Sequence, residues 1–266
     1  MDDAQAVTYG GYLRLDELLA CQEPRTGAHD ELLFVIIHQV YELWFKQILH
    51  EAALLQRRLE AGDSAGALRT ARRIAKILKT VVGQLDVLET MTPRQFASFR
   101  DALGTSSGFQ SAQFREIEAV LGRRSFPASD VRDDDRLRAA LGRRSLLDSL
   151  LRYLAAHGHA VPAAVLERDP AAPWRPDPGV QKVLLAVYAD DTGPAAEVCE
   201  ALVDVDEGVQ EWRYRHVKMV ERTIGAKIGT GGSDGAEYLR RTLFTPAFPD
   251  LWEVRSQIEE TVVHDA

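Results

Sequence analysis

Two histidines in apolar surroundings are the residues best placed to carry chemistry. His216 belongs to a series of residues spaced alternately four and three apart, which is typical of one buried face of a helix. The series comprises Val198, Leu202, Val205, Val209, Trp212, His216 and Met219. A histidine in such a series must hydrogen-bond to a buried group or coordinate a metal ion. Spacing alone leaves both interpretations open.

The second histidine, His38, lies four residues after Phe34, so both side chains share one face of a predicted helix. It is either a core histidine beneath an aromatic ring or a functional group. The only cysteines are Cys21 and Cys199 and there is no HExxH motif, so a zinc site with three or four protein ligands is not apparent. Two buried histidines on different helices instead admit a heme pocket, with one axial and one unligated histidine.

An arginine and a glycine-rich segment are further candidates. Arg100 lies four residues after Phe96 and just before a loop at Gly104–Gly108. An arginine beside aromatic residues usually reaches from the edge of the core into solvent, although in a pocket its planar guanidinium suits a carboxylate. Residues 229–235, GTGGSDG, follow a helix and lack the lysine of a P-loop. They form either a loop that closes over a ligand or a plain surface loop.

Long predicted helices position these candidates. The segment from Asp30 to Gly62 is apolar over more than one face, so we expect a central helix with Asp30 as its N-cap. Its expected core positions are Leu33, Ile36, Ile37, Val40, Leu43, Trp44, Ile48, Leu55 and Leu59. Ser64 and Thr92 are predicted to cap the next two helices, and the second has a proline at its first helical position. A long helix from Pro194 carries His216.

The rest of the chain completes an all-α prediction. Residues 123–135 are polar and irregular, Ser145 begins another helix, and residues 158–179 contain five prolines that indicate an extended connection. The sequence has no run of alternating β-branched residues and no internal repeat. We predict an all-α, single-domain helical bundle over residues 1–266, in which residues 1–27 form an N-terminal segment.

Composition narrows the function classes. The net charge of −8 argues against non-specific nucleic-acid binding, which needs a positive surface. Two cysteines are too few for a disulfide framework, so a reduced, cytoplasmic protein is expected. The N-terminus has neither the basic nor the apolar region of a signal peptide, and no apolar run approaches the ~18 residues of a membrane helix.

Several segments together resemble one enzyme family. In chain order they are TYGGYLRLDELL, HDELLFVIIHQVYELWFKQILHE, FRDALGTSSGFQS, and WRYRHVKMVERTIG followed by GTGGSDGAEYLRRTL. They are similar to the tryptophan 2,3-dioxygenases, and the resemblance runs from Tyr9 to about Arg255. It implies an all-α homotetramer whose long central helices enclose a heme b pocket. Such enzymes use ferrous iron and O2 to open the indole ring of L-tryptophan, giving N-formyl-L-kynurenine.

The resemblance also implies a role for each candidate residue. His216 would be the proximal iron ligand, and His38 the distal histidine that meets the indole N–H. Phe34 would pack on the indole ring, and Arg100 would bind the substrate carboxylate. The remaining expected contacts are Thr230 with the amino-acid end, Phe96 in the substrate pocket, Ser107 and Gly108 beside the heme, and Tyr9, Tyr12 and Leu13 reaching a neighbouring subunit's pocket.

Two positions depart from the family pattern. Asp234 stands where the glycine loop commonly has a second serine, and Ile37 precedes the distal histidine where glutamine or threonine is common. Neither change removes a catalytic group. They leave room for an alternative, a related heme oxygenase that acts on a modified tryptophan, for example by inserting one oxygen atom into an indole during natural-product biosynthesis.

Overall fold

The fold is built from helices in every part of the chain that the structure describes. A computed structural model describes residues 7–106, 108–225, 227, 240 and 243–258, except the side chain of residue 109. The helices are α1 Tyr9–Leu13, α2 Leu15–Leu19, α3 His29–Glu60, α4 Ser64–Leu88, α5 Pro93–Phe99, α6 Ala112–Leu121, α7 Ala128–Asp133, α8 Asp135–Leu141, α9 Leu146–Ala156, α10 Ala163–Leu166, α11 Pro178–Tyr188, α12 Pro194–Ile224 and α13 Pro249–Glu253. Short 3-10 turns follow at Arg100–Leu103, Gly108–Gln110 and Val254–Gln257. Since no strand occurs in these ranges, the all-α prediction is confirmed.

Helix α4 is the centre of the bundle. It runs antiparallel to α3. Glu51 of α3 pairs with Arg73 of α4, whereas Arg58, later in α3, donates to Thr70, earlier in α4. It runs parallel to α12, since Lys79 pairs with Glu211 and the later Asp86 with Arg215. Helices α3 and α12 both pack extensively on α4, and their side chains meet at the rings of Phe45 and Trp212, whose centroids are 6.0 Å apart. They are therefore antiparallel walls of the region around His38 and His216, which we call the cleft.

The buried face of α12 follows the predicted periodicity. Its apolar members are buried along the whole helix, from Val198 and Leu202 to Trp212 and Met219. Gly208 lets α12 approach α4 closely, because a Cβ added there would lie 3.1 Å from the Cβ of Leu78. Helix α9 covers the other side of α3, so that one continuous apolar core extends across the long helices.

Two predicted N-caps are wrong by one or two residues. Asp30 lies inside the first turn of α3, whose N-cap is Ala28, and its acidic charge there still suits the positive end of the helix. Ser64 is the first residue of α4, and Asp63 is the cap that accepts a hydrogen bond from the Gly66 amide. The prediction for Thr92 is confirmed: it forms a capping box with Gln95 and is followed by Pro93.

Helix α3 differs most from its prediction. Ile36 and Leu43 were expected in the core, but they are 40% and 50% exposed, and Tyr41 and Phe45 are buried instead. Exposed Leu32 lies one turn before Ile36 and extends this apolar outer face. By length and mean hydropathy alone, α3 also passes the test for a membrane-spanning helix, which the core helix of a soluble protein passes as well.

Other differences lie between the long helices. Residues 123–135 were expected to be irregular, yet α7 forms there, and α8 packs on α6 through Leu137 and Ala140. The proline-rich connection contains the short helix α10. The last described segment is α-helical through Glu253 and then forms a 3-10 turn over Val254–Gln257.

Candidate active site

Two histidines line the cleft between α3 and α12. His38 lies on α3 and His216 on α12, and each is half-buried. Burial is the main cause that lowers the pKa of His38, and burial followed by the nearby His38 lowers the pKa of His216 to about 4. Both imidazoles are therefore neutral at pH 7. Each side chain also keeps some solvent-accessible surface. Both side chains are therefore able to accept a hydrogen bond or a metal ion in the neutral form.

The hydrogen bonding of His38 fixes which of its nitrogen atoms is available. Nδ1 lies 2.7 Å from the carbonyl oxygen of Phe34, one turn earlier in α3. Because a carbonyl oxygen only accepts, Nδ1 carries the proton in the neutral ring. Nε2 is then an unprotonated acceptor, and an N–H group of a ligand can donate to it.

An aromatic wall surrounds His38. The Phe34 ring lies 4.1 Å from the His38 ring, and it lies 5.8 Å from Phe96 and 5.6 Å from Phe99, between ring centroids. Phe99 is buried, whereas Phe34 and Phe96 are half-buried and keep accessible edges. The capping box at Thr92 starts α5 in the register that brings Phe96 and Phe99 against α3. This wall suits a flat apolar ring.

Arg100 is placed beside that wall by a change in the backbone. Helix α5 ends at Phe99, and Arg100 begins the 3-10 turn that closes at Gly104, where φ is +57°. Only glycine adopts such a backbone conformation readily, so the turn is fixed by the sequence. Arg100 is half-buried one turn after Phe96, on the same side as the aromatic wall.

The structure places the other predicted residues apart from this group or does not describe them. Tyr9 and Tyr12 are each 77% exposed and Leu13 is 42% exposed, so they contribute nothing to the cleft of their own chain. Gly108 is exposed in a 3-10 turn. Ile37, one of the two departures from the family pattern, is buried in the core. Ser107, Thr230 and Asp234 lie outside the described residues.

Two buried polar residues of the cleft were not predicted as site residues. Tyr41 lies on α3 one turn after His38, and the two rings meet edge to face at 6.2 Å. Trp212 lies on α12 one turn before His216, with ring centroids 4.8 Å apart. The spacing of Tyr41 from His38 was the available signal. The sequence indicates Trp212 only as a member of the buried face of its helix.

The ligands that the cleft offers to a metal are single imidazoles. Among the described residues, no three His, Cys, Asp or Glu side chains come together. Taken with the antiparallel walls and the aromatic lining, this defines a class: an all-helical protein with one neutral imidazole on each side of a central cleft, an arrangement suited to an axially ligated porphyrin.

Comparison with known proteins identifies the family. The family model described as tryptophan 2,3-dioxygenase matches residues 1–139 and 179–258. A tryptophan 2,3-dioxygenase of Anaeromyxobacter sp. (strain K) is 62% identical over 260 residues, which are 95% of this chain and 97% of the relative. Proteins of the same name from Herpetosiphon aurantiacus and Caulobacter vibrioides are 52% and 44% identical, each over 96% of this chain and all of the relative. The chain belongs to the tryptophan 2,3-dioxygenase family, whose members are heme-dependent oxidoreductases.

The residues of the cleft fit a heme. His216 is a neutral imidazole, which is the form that coordinates iron, and it lies on the opposite wall from His38. Each histidine lies against an aromatic group: Phe34 contacts His38 and Phe96, and Trp212 contacts His216, Phe45 and Phe114. Tyr41 and Trp212 also turn buried hydrogen-bonding atoms toward the interior without a partner among the described residues. A polar-edged, flat apolar cofactor matches this lining.

Proposed function

We propose that this chain is a heme b enzyme that cleaves the C2–C3 bond of the indole of L-tryptophan with O2, giving N-formyl-L-kynurenine. The observation that carries the proposal is the pair of neutral histidines on facing helices, next to an aromatic wall and Arg100, in a chain of this family. The reaction breaks one C–C double bond and places one oxygen atom on each carbon. Heme iron supplies the oxygen chemistry when bound, and the protein supplies orientation and exclusion of water.

In this proposal His216 holds the heme iron. Its imidazole is neutral well below pH 7, so protons do not compete with the metal for the ring at physiological pH. Ser107 and Gly108 lie beside the heme in the proposal, carried over from the family resemblance.

His38 orients the substrate from the other wall. Its Nε2 accepts a hydrogen bond from the indole N–H, because Nδ1 is engaged with the Phe34 carbonyl. Lowering of its pKa by burial keeps the ring neutral, so it acts as an acceptor at pH 7. Phe34 and Phe96 pack on the indole, and their ring spacing of 5.8 Å forms one side of the slot.

Arg100 binds the amino-acid end of the substrate. A guanidinium gives a carboxylate two parallel charge-assisted hydrogen bonds, which fix the position of the attached indole. Thr230 contacts the same end from the glycine-rich loop in the proposal. Both ends of the substrate would then be held, and the C2–C3 bond would keep one orientation toward O2.

We further propose that the active protein is a cytoplasmic homotetramer, built from one domain per chain, in which the N-terminal segment reaches a neighbouring subunit. Tyr9, Tyr12 and Leu13 are exposed apolar side chains on a short helix, which supports a partner that covers them. The exposed face of α3 formed by Leu32, Ile36 and Leu43 supports a further subunit contact. One large apolar core that joins the long helices supports the one-domain assignment.

Product analysis tests the reaction. Purified protein loaded with heme, reduced and supplied with L-tryptophan and ¹⁸O2 is expected to give N-formylkynurenine that carries both labelled oxygen atoms, read by mass spectrometry. A product with a single labelled oxygen atom, or an oxindole, would overturn the dioxygenase assignment in favour of the alternative oxygenase. A substituted tryptophan in a parallel reaction measures substrate breadth.

Two variants test the residue roles. His216→Ala is expected to lose stable heme binding, whereas the matched change His157→Ala, at the C-cap of α9, is expected to leave the Soret spectrum unchanged. Arg100→Ala is expected to weaken tryptophan binding by about 2–5 kcal/mol if the ion pair is buried. Unchanged heme spectra in the first variant, or unchanged tryptophan affinity in the second, would remove the corresponding role.

A further inference from the structure

A small cavity outside the cleft is lined by three arginines. It has a volume of about 50 Å³ and lies beside α9 and the connection that follows α10. Arg144 precedes α9, Arg152 lies on α9 and Arg168 follows α10, so three separate segments bring their cations to one space. All the lining residues lie between residues 144 and 170, and none belongs to the cleft. This stretch falls between the two segments that the family model matches.

The lining of this cavity is positively charged. Asp148 is the single carboxylate among the described residues that line it, against three guanidinium groups. One oxygen atom of Asp148 accepts from Nε of Arg168 at 2.8 Å, and the other accepts from the amide and the hydroxyl of Ser145. Arg144 pairs at 3.2 Å with Glu60, an exposed residue at the end of α3. Three cations therefore face two carboxylates, and both carboxylates are already hydrogen-bonded.

Arg152 is the cation that the protein compensates least. In the part of the chain that the structure describes, its one hydrogen bond runs from Nη2 to the carbonyl oxygen of Leu166, at 2.7 Å, and no carboxylate lies within ion-pair distance of it. A guanidinium has five N–H donors, so most of its donors remain for a ligand. Because Arg152 is half-buried, its charge is partly removed from water and gains from an anionic partner.

A fourth cation adjoins the cavity. Arg124 is buried and donates to backbone carbonyl oxygens, including that of Pro170, a lining residue, at 2.7 Å. Burial is the main cause that lowers the pKa of Arg124. Asp148 opposes this effect, and the neighbouring cation of Arg168 adds to it. Arg124 and Arg168 are therefore close enough to repel each other, and an anion in the cavity would offset that repulsion.

We propose that this cavity binds a small tetrahedral oxyanion of the phosphate class. About 10–15 Å³ is enough to hold one water molecule, so the cavity has room for an ion of a few heavy atoms and not for a ring. Guanidinium groups bind phosphate oxygens through charge-assisted, paired hydrogen bonds, and Arg152 supplies the available donors. The bound anion joins α9 to the connection after α10. This inference goes beyond the proposed function and depends on neither heme nor tryptophan, since the cavity shares no residue with the cleft.

Calorimetric titration of the heme-loaded protein with inorganic phosphate tests the site, in chloride buffer of constant ionic strength. The wild type is expected to bind phosphate saturably, and Arg152→Gln to weaken binding by about 10- to 100-fold, as the loss of a charge-assisted hydrogen bond predicts. Arg144→Gln, at an exposed position where folding is not at risk, is expected to weaken binding by about 2- to 5-fold.

The matched control is Arg58→Gln. Arg58 also donates to a helix carbonyl at 2.7 Å, that of Gly66, but it does not line the cavity. This change is therefore expected to leave the phosphate affinity unchanged. A wild type without saturable binding, or Arg152 and Arg144 variants with the wild-type affinity, would overturn the proposal.

A series of anions separates the ligand classes. Sulfate, which is also tetrahedral, is expected to compete with phosphate, whereas acetate, which is planar, is expected to bind at least about 10-fold more weakly. Acetate that binds as tightly as phosphate would make this a carboxylate site and contradict the tetrahedral assignment. Phosphate also stabilises proteins by exclusion from their surface. A rise of the unfolding midpoint that does not saturate, and that Arg152→Gln shares, is this general effect and counts against the site.

Discussion

Replacing Glu118 by glutamine is expected to destabilise the protein by about 3–5 kcal/mol, since it breaks a buried ion pair that joins two helices near the cleft. Glu118, on α6, accepts hydrogen bonds from Arg213 of α12 at 2.5 Å and from Arg123 at 2.9 Å. The side chains of Glu118 and Arg213 are only 6% and 9% exposed, so the change leaves a buried cation without its carboxylate. Arg123, with 30% exposure, adds no more than about 1 kcal/mol.

Urea unfolding of the holoprotein measures this effect, with the Soret band followed in the same samples. The matched control is Glu211→Gln, which removes the ion-pair partner of Lys79. The Lys79 and Glu211 side chains are 61% and 37% exposed, so this change is expected to lower the free energy of unfolding by at most about 1 kcal/mol. The double change Glu118→Leu with Arg213→Met is expected to recover much of the loss, because it removes both charges together. A loss below about 1 kcal/mol for Glu118→Gln would refute the claim that this pair is buried and coupled.

Three further changes probe the frame of the site. Gly208→Ala is expected to lower the free energy of unfolding in urea by about 1–3 kcal/mol, because the new Cβ would lie 3.1 Å from Leu78. The control Gly83→Ala, whose Cβ would meet no atom within 4 Å, is expected to raise the free energy of unfolding by up to about 1 kcal/mol. Asp206→Ala is expected to lower the unfolding midpoint strongly, because its Oδ2 accepts three N–H donors at 2.9–3.1 Å, and an unchanged midpoint would contradict this. Without heme, the chain is expected to lose on the order of 3 kcal/mol as the pH falls from about 6.5 to 4, since the unfolded chain takes up a proton that folded His216 resists. A flat pH profile of unfolding would contradict that burial.

The sequence predicted those features that depend on local periodicity. The face of α12 from Val198 to Met219 is buried as expected, because alternate spacing of four and three residues marks a single face of a helix. Helix α3 shows the limit of that reasoning. Its first turns are apolar all round, so no pattern distinguished the exposed Ile36 and Leu43 from the buried Tyr41 and Phe45. Packing against α4 decides which face is buried.

The candidate site shows the same division. The pairs Phe34 with His38 and Phe96 with Arg100 were visible from helical spacing, and the contact of Phe34 with His38 is present. The proximity of His38 to His216 depends on the register of three helices. Register is set by ion pairs and side-chain packing between segments distant in sequence, which spacing within one segment does not report.

The position of α4 between α3 and α12 gives it the role of a spacer. Since both walls pack on α4, their separation depends on the volume of the α4 side chains packed against them, among which Val81 and Leu85 are fully buried. Protein interiors are packed closely enough that one methylene group shifts its neighbours. Substitutions in the packed face of α4 are therefore expected to change the separation of α3 and α12, which carry His38 and His216.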